Sequence, residues 1–243
     1  MAIGDNIPRS SELVGGPGFR LRRKVERVPP ELIERFRLLE VSLVSDLMNR
    51  LYTMDPGCTE IVAPADGRLI GPVCTVKVFP GDNLMVHASL DVAEPGDVVV
   101  IDTAGSTVNA VLGDMIANKA KARGIAGFIV DGLVRDVRGM RDVGVPVFAR
   151  GATPRGPLQR GPGELNFPIA CGGVSVSPGD LVMADADGIT FVPREGVLGV
   201  LERAEARRDA DVEYEASVKR GEFSNAWVDR IIEGASGCES AST

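Results

Sequence analysis

The stretch of residues 109–137, NAVLGDMIANKAKARGIAGFIVDGLVRDV, decides the fold of this chain. Its first half is rich in alanine and has basic residues shortly before Gly124, and this pattern predicts a helix over residues 109–123. Its second half contains a continuous apolar run, residues 125–130, which is typical of a strand buried on both faces. A helix followed by such a strand indicates a mixed α/β chain.

Two charged dipeptides, Gly113-Asp114 and Arg135-Asp136, lie near the start of the predicted helix and just beyond the predicted strand. A chain that runs away along a helix and returns along a strand comes back to the same end, so the dipeptides are expected to be neighbours. Two carboxylates facing one point favour a hard cation such as Mg²⁺ or Mn²⁺. Arg135 offers a planar fork for a carboxylate or oxyanion, and free N–H groups at a helix start attract anions. Gly132 would allow close backbone approach. The same residues also fit a helix cap and a surface ion pair.

Short apolar runs separated by Gly, Pro and Asp turns predict further strands on both sides of this stretch. The predicted strands cover residues 69–78, 97–101, 145–149, 174–176, 181–185 and 188–192. Further helices are predicted from Pro29-Pro30 onward, over 46–51 with Ser42 or Ser45 as cap, over 84–93 and over about 195–219. Residues 151–168, rich in Gly, Pro and Arg, predict a long ordered loop. The predicted organisation is an N-terminal arm (1–28), one catalytic domain (29–220) and a C-terminal extension (221–243).

Composition removes several classes of function. The formal net charge of −7 argues against nonspecific nucleic-acid binding, which needs a basic surface. No apolar run approaches the roughly 20 residues of a membrane span, and the first residues lack the pattern of a signal peptide, so a cytoplasmic protein is predicted. His87 is the only histidine, which excludes HExxH zinc sites and, unless His87 itself serves, a Ser-His or Cys-His nucleophile. Four scattered cysteines without CxxC spacing predict free thiols.

The Gly-Asp and Arg-Asp pairs, with 20 residues between Asp114 and Arg135, resemble the signature of the RraA-like family. That family includes the class II 4-hydroxy-4-methyl-2-oxoglutarate / 4-carboxy-4-hydroxy-2-oxoadipate aldolases. Other similar stretches are VSDLMNRL (44–51), GDNLMVHASLDVAEPGDVVVID (81–102), VPVFARG (145–151) and PIACGGVSVSPGDLVMADADGITFVP (168–193). The resemblance covers about residues 40–194. It implies an α/β fold, a three-layer β-β-α sandwich of the RraA-like (swivelling-domain) type, assembling as a homotrimer or homohexamer with sites between subunits.

The resemblance also implies a role for each residue of the motif. Asp136 would be the direct ligand of a divalent metal ion, Mg²⁺ or Mn²⁺, and Asp114 would hold metal-bound water. Arg135 would bind the 2-oxo-acid portion of the substrate. A glutamate from the C-terminal helix of a neighbouring subunit would contact metal-bound water. The candidates are Glu205, Glu213 and Glu215, of which Glu213 is preferred. The backbone amides expected to grip the substrate carboxylate are those of Gly113, Asp114, Met115 and Ile116.

The predicted function is divalent-metal-dependent retro-aldol cleavage of a 4-hydroxy-2-oxo dicarboxylic or tricarboxylic acid to give pyruvate, with oxaloacetate decarboxylation through the same enolate. The alternative is a regulatory protein of the RraA type that inhibits an RNase by protein–protein binding. A methyltransferase is disfavoured because the Gly-rich nucleotide loop is missing. The expected partners are a small 2-oxo-acid substrate and further copies of the chain, with no nucleic acid and no membrane.

Several other residues receive structural interpretations. His87 is predicted to lie on a helix face or at an interface. Arg155 and Arg160 belong to a loop interpreted as a subunit contact or a solvated segment, with lining of the site as the alternative. Lys119 and Lys121 are predicted to face solvent, which gives a Schiff-base route no support.

Overall fold

A computed structural model describes residues 16–234 of the chain. Seven helices and twelve strands are found in this part. The helices are α1 (Pro30–Phe36), α2 (Val41–Leu47), α3 (Leu84–Ser89), α4 (Asp114–Ala122), α5 (Val137–Val143), α6 (Val197–Lys219) and α7 (Ala226–Gly234). The strands are β1 (Phe19–Leu21), β2 (Thr59–Val62), β3 (Leu69–Val78), β4 (Val98–Asp102), β5 (Ala110–Leu112), β6 (Gly127–Val134), β7 (Val147–Ala152), β8 (Gly163–Leu165), β9 (Ile169–Cys171), β10 (Val174–Val176), β11 (Leu181–Asp185) and β12 (Gly188–Val192).

Four parallel strands form the centre of the large sheet, in the order β3-β4-β6-β7. β8 and β1 extend it beyond β3, and β2 extends it beyond β7. All of β4 and most of β6 are buried. The continuous apolar run of β6 predicted such a strand, covered on both faces. Because parallel strands end at the same edge of a sheet, the loops after β4, β5 and β6 are brought together.

The two faces of this sheet pack against different partners, which gives the three layers. On one face, side chains of the central strands pack against α3, α4 and α5. On the other face they pack against the strands β9 to β12. A third apolar cluster joins α1, α2 and the start of α6 to β11 and β12. The α/β architecture predicted from the sequence is therefore confirmed, with helices on one face of the sheet and a second β layer on the other.

Three helix predictions have the wrong limits, and the one predicted over 84–93 ends already at Ser89. The helix predicted over 109–123 begins only at Asp114, because Ala110–Leu112 forms the strand β5 and pairs in parallel with β6. The helix predicted over 46–51 is instead Val41–Leu47, and neither Ser42 nor Ser45 caps it. The Ser45 hydroxyl contacts the Thr53 hydroxyl at 2.5 Å. The chain then leaves the helical conformation at two successive residues with positive φ, Asn49 and Arg50, so the helix cannot continue to 51.

The two segments interpreted as an arm and a loop each contain a strand. Phe19–Leu21 in the arm pairs in parallel with Gly163–Leu165 in the loop. The arm's residues 1–15 lie outside the described residues, as do 235–243 in the C-terminal extension. The chain divides into two compact units, one ending at Ala204 and one starting at Glu205, and the domain limits predicted at 28 and 220 stay predictions. Among residues 16–234, no helix combines the length and apolar character needed to cross a membrane.

Candidate active site

The two charged dipeptides follow the ends of two adjacent, hydrogen-bonded parallel strands. Gly113-Asp114 comes directly after β5, and Arg135-Asp136 comes directly after β6. The amide of Arg135 donates a hydrogen bond to the carbonyl oxygen of Leu112 at 2.9 Å, which fixes the two segments side by side. Asp114 begins α4, and Asp136 precedes α5 in a left-handed conformation (φ 55°, ψ 40°). The proximity predicted from the sequence is therefore found, and a strand pairing that the sequence interpretation missed enforces it.

These residues line a cleft with a volume of about 310 Å³. The guanidinium of Arg135 and the carboxylate of Asp136 lie 3.2 Å apart (Nε to Oδ2), and each side chain is roughly half exposed. An ion pair that is this exposed contributes little to the stability of the fold. Both side chains can therefore turn from each other to a ligand at little cost. The lining residues are Asn83, His87, Leu112, Gly113, Asp114, Met115, Ile116, Arg135, Asp136, Gly156, Pro157 and Gln159.

Three glycines allow the backbone to approach the charged side chains of the cleft. A Cβ atom at Gly113 would lie 2.7 Å from Asp136 Oδ2, and one at Gly139 would lie 2.7 Å from Asp114 Oδ2. One at Gly156 would lie 2.7 Å from a terminal nitrogen of Arg135. Real Cβ atoms do not approach so closely, so each glycine creates the space in which a charged group sits. Gly132, the glycine named from the sequence, packs against Thr103 instead.

The start of α4 presents free backbone N–H groups beside these side chains. Within the described residues, the amides of Gly113, Asp114 and Met115 have no hydrogen-bond partner, as expected for the first turn of a helix. The amide of Ile116 donates to the carbonyl oxygen of Gly113 at 3.1 Å, and its side chain is buried. Three of the four predicted amides are therefore unpaired, and Ile116 lines the cleft as an apolar residue. Free amides at the positive end of the nine-residue helix α4 are a favourable place for an anion.

A loop over residues 153–161 forms one wall of the cleft, and several hydrogen bonds to its backbone hold it in place. The carbonyl oxygen of Arg155 accepts a hydrogen bond from the amide of Ala110 at 2.9 Å, and that of Gly156 accepts one from Asn109 Nδ2 at 2.6 Å. Leu158 is bonded through its amide to Gly81 and through its carbonyl to Asn83. The wall is thus built into the fold. The loop lines the site through Gly156, Pro157 and Gln159 and not through either arginine considered from the sequence, Arg155 or Arg160.

We expect Asn109→Ala to loosen this wall. The substitution removes the hydrogen bond to the Gly156 carbonyl and leaves that acceptor without its partner, at a cost of about 1–3 kcal/mol. Hydrogen–deuterium exchange should become faster at residues 153–161 while the core strands β4 and β6 stay protected. Unchanged exchange in the loop would contradict the role given to Asn109.

Three polar residues of the cleft were not assigned to the site from the sequence: Asn83, His87 and Gln159. His87 was interpreted as a helix-face or interface residue, but its α3 position faces the cleft, and its Nε2 lies 3.5 Å from Gln159 Nε2. Burial, followed by the positive charge of Lys119, lowers the pKa of His87 below its ordinary value, which favours the uncharged form of the ring. The segment GDNLMVH carried the only sequence signal, because it belonged to the family resemblance.

Other predicted residues have simpler surroundings. Glu213 lies on α6 with an exposed side chain, and Arg220 donates to its carboxylate at 3.3 Å. Lys119 is exposed, and Lys121 donates through Nζ to the carbonyl oxygen of Val143 at 2.7 Å.

The free, buried thiols predicted from the sequence are found at Cys58, Cys74 and Cys171, while Cys238 lies outside the described residues. Burial raises the pKa of the first two thiols to about 12, which makes them poor nucleophiles.

The donors at the cleft suit one kind of metal ion. Within residues 16–234, no group of three or more His, Cys, Asp or Glu residues could hold a metal ion. The cleft therefore offers two carboxylates, those of Asp114 and Asp136. Zinc sites ordinarily use three or four protein ligands, often His or Cys. Mg²⁺ keeps several waters and is often bound through one or two carboxylates, so this donor set fits Mg²⁺ or the similar Mn²⁺.

The fold and the cleft define an α/β protein with unpaired helix amides and a carboxylate pair at the carboxyl edge of parallel strands. The family model described as "RraA-like: Aldolase/RraA" matches residues 41–191. This chain belongs to the RraA-like family, as its motif predicted.

Three proteins similar to this chain carry names that bear on its function. A protein of Halalkalibacterium halodurans, provisionally named a 4-hydroxy-4-methyl-2-oxoglutarate aldolase, is 36% identical over 83% of this chain and 96% of its own length. The 4-hydroxy-4-methyl-2-oxoglutarate aldolase of Thermus thermophilus is 38% identical over 52% of this chain and 76% of its own. A crystal structure from Streptomyces coelicolor, described as an unusual member of the RNase ES inhibitor RraA protein family, is 30% identical. It covers 79% of this chain and 99% of its own, with a TM-score of 0.72.

Proposed function

We propose that this protein is a divalent-metal-dependent lyase that cleaves a 4-hydroxy-2-oxo acid to give pyruvate, with oxaloacetate decarboxylation as a second activity of the same site. The observation that carries the proposal is the convergence of Asp114, Arg135 and Asp136 in one cleft beside free helix amides. The aldolase names of two relatives support the reaction class.

The residues of the cleft would bind the 2-oxo acid from two sides. The free amides of Gly113, Asp114 and Met115 would hold its carboxylate at the start of α4. Arg135 would place its guanidinium against the 2-oxo group, where negative charge develops during cleavage. Asp136, supported by Asp114, would hold the divalent cation, which when bound supplies Lewis-acid activation of the 2-oxo group.

The cleavage itself is a retro-aldol step. A water molecule oriented by Asp114 takes the proton of the C4 hydroxyl, the C4–O bond becomes a carbonyl, and the C3–C4 bond breaks. The electron pair of that bond moves into the enolate of pyruvate, whose oxygen faces Arg135. The same water returns the proton to C3, which completes pyruvate and leaves the water as it began. Loss of CO₂ from oxaloacetate leaves the same enolate, so no further residue is required for the second activity.

The proposal predicts metal-dependent release of pyruvate by the purified protein. With Mg²⁺ or Mn²⁺, both 4-hydroxy-4-methyl-2-oxoglutarate and oxaloacetate should yield pyruvate, measured by coupling to NADH oxidation through lactate dehydrogenase. EDTA should reduce the rate to background, and excess Mg²⁺ should restore it, because removal of the cation removes several kcal/mol of transition-state stabilisation. No pyruvate from either compound under any metal condition would refute the proposed function.

A second candidate function, inhibition of an RNase through protein–protein binding, is favoured by the likeness to the Streptomyces coelicolor structure. The pyruvate assay distinguishes it, since an inhibitor needs no turnover. Two further elements of the catalytic proposal rest on the family resemblance: assembly as a homotrimer or homohexamer, and a neighbouring subunit's Glu213 near the metal.

A further inference from the structure

The cleft has a polar wall that the proposed chemistry does not use. Asn83 precedes α3 and His87 lies on that helix, whereas Gln159 belongs to the loop of residues 153–161. The backbone fastens the two segments together, since the amide of Asn83 donates to the carbonyl oxygen of Leu158 at 3.0 Å. The backbone segments that carry the three polar side chains are therefore held together along one side of the cleft.

The amide group of Asn83 is incompletely satisfied. The residue is 4% exposed, and its Oδ1 atom accepts no hydrogen bond from any described residue. A buried polar group without a described partner is uncommon in folded proteins, and this one belongs to a residue in the wall of the cleft. Gln159 Nε2 and a ring nitrogen of His87 line the same cleft and can donate hydrogen bonds to a ligand, with the ring tautomer set by that ligand.

We infer that Asn83, His87 and Gln159 form a neutral subsite that selects the substrate by its leaving half, taking an α-hydroxy carboxylate group. The side-chain amide of Asn83 donates through Nδ2 to the hydroxyl oxygen of such a group, so the hydroxyl proton stays free for the proposed cleavage, and the carboxylate accepts from Gln159 and His87. A 4-hydroxy-4-methyl-2-oxoglutarate molecule carries this group at C4, opposite the 2-oxo-acid end held by Arg135. The inference rests on the proposed function and makes these three residues specificity determinants.

The kinetic test compares two substrates that differ in the leaving half. 4-Hydroxy-2-oxopentanoate has the same cleaved bond as 4-hydroxy-4-methyl-2-oxoglutarate but no C4 carboxylate. For Gln159→Ala, the ratio of kcat/KM between the carboxylated and uncarboxylated substrates should fall by about tenfold or more. Gln159 is exposed, so this variant should fold normally. Arg160→Ala, one position along the same loop and outside the cleft lining, should keep the wild-type ratio.

A binding test needs no turnover and separates this inference from the proposed function. Calorimetry should give 2-hydroxy-2-methylbutanedioate a dissociation constant about tenfold lower than that of methylbutanedioate, which lacks only the hydroxyl. Asn83→Ala should remove most of this difference. Failure of the pyruvate assay with a positive binding result would overturn the reaction but keep the subsite. Equal affinity for the two compounds in the wild-type protein, or an unchanged kinetic ratio in Gln159→Ala, would overturn the subsite.

Discussion

Asp136→Asn should lower kcat/KM for pyruvate release by roughly a thousandfold, which corresponds to about 4 kcal/mol of transition-state stabilisation. The amide is nearly the same size as the carboxylate but is neutral, so it binds a divalent cation far more weakly. Asparagine also tolerates the left-handed conformation found at this position (φ 55°, ψ 40°), which alanine would adopt only with strain. Asparagine is therefore the better test of the charge.

The loss should come from chemistry and not from unfolding. Asp136 is about half exposed, and among residues 16–234 its carboxylate forms an ion pair only with its neighbour Arg135, so the free energy of unfolding should change by less than about 1 kcal/mol. Asp142→Asn, on an exposed residue of the same helix α5, makes the same chemical change away from the cleft and should keep wild-type activity. Calorimetric titration with Mn²⁺ should show weaker binding for the Asp136 variant alone. An Asp136 variant with more than about a tenth of the wild-type activity would show that the metal ligand is assigned to the wrong residue.

The sequence predicts this part of the site because two local patterns cooperate. An alanine-rich helix followed by an apolar strand brings Asp114 and Arg135 to one end of the unit, whatever the rest of the chain does. The strand Ala110–Leu112 escaped prediction because three apolar residues are too few to display a period of two, and the helical pattern beside them is strong. The pairing of Ala110–Leu112 with β6 therefore outweighs the tendency of these residues to continue the helix.

The polar wall of the cleft escaped prediction for a different reason. Asn83 and Gln159 are separated by 75 residues and meet only because the loop returns and bonds to the residues before α3. No local periodicity encodes such a return. The Gly-rich composition of residues 151–168 indicated a functional or interfacial loop, but it gave no means to choose Gln159 over the arginines on either side. The role of Glu213 stays a prediction for a comparable reason, since it depends on a neighbouring subunit.

Gly113→Ala should reduce kcat/KM by roughly a hundredfold although it adds only one methyl group. The backbone at Gly113 is extended (φ −151°, ψ −173°), so alanine meets no backbone strain there. Its Cβ atom would lie 2.7 Å from Asp136 Oδ2 and 3.1 Å from Arg135 Cγ, and both side chains must move away. Because these are flexible, partly exposed groups, the fold should accommodate the shift while the catalytic geometry is lost.

The measurement pairs activity with stability. Urea unfolding should place Gly113→Ala within about 1 kcal/mol of the wild-type protein. Gly199→Ala is the matched control, because no atom lies within 4 Å of the added Cβ on α6, and it should retain full activity. If Gly113→Ala kept half of the wild-type activity, the position of the Asp136 carboxylate would not limit the reaction. If it unfolded instead, the close approach at Gly113 would serve the packing of β5 against β6 and not the site. We expect an intact fold in which the Asp136 carboxylate and the Arg135 guanidinium are displaced. This combination follows only if Gly113 leaves the space that these two charged groups occupy.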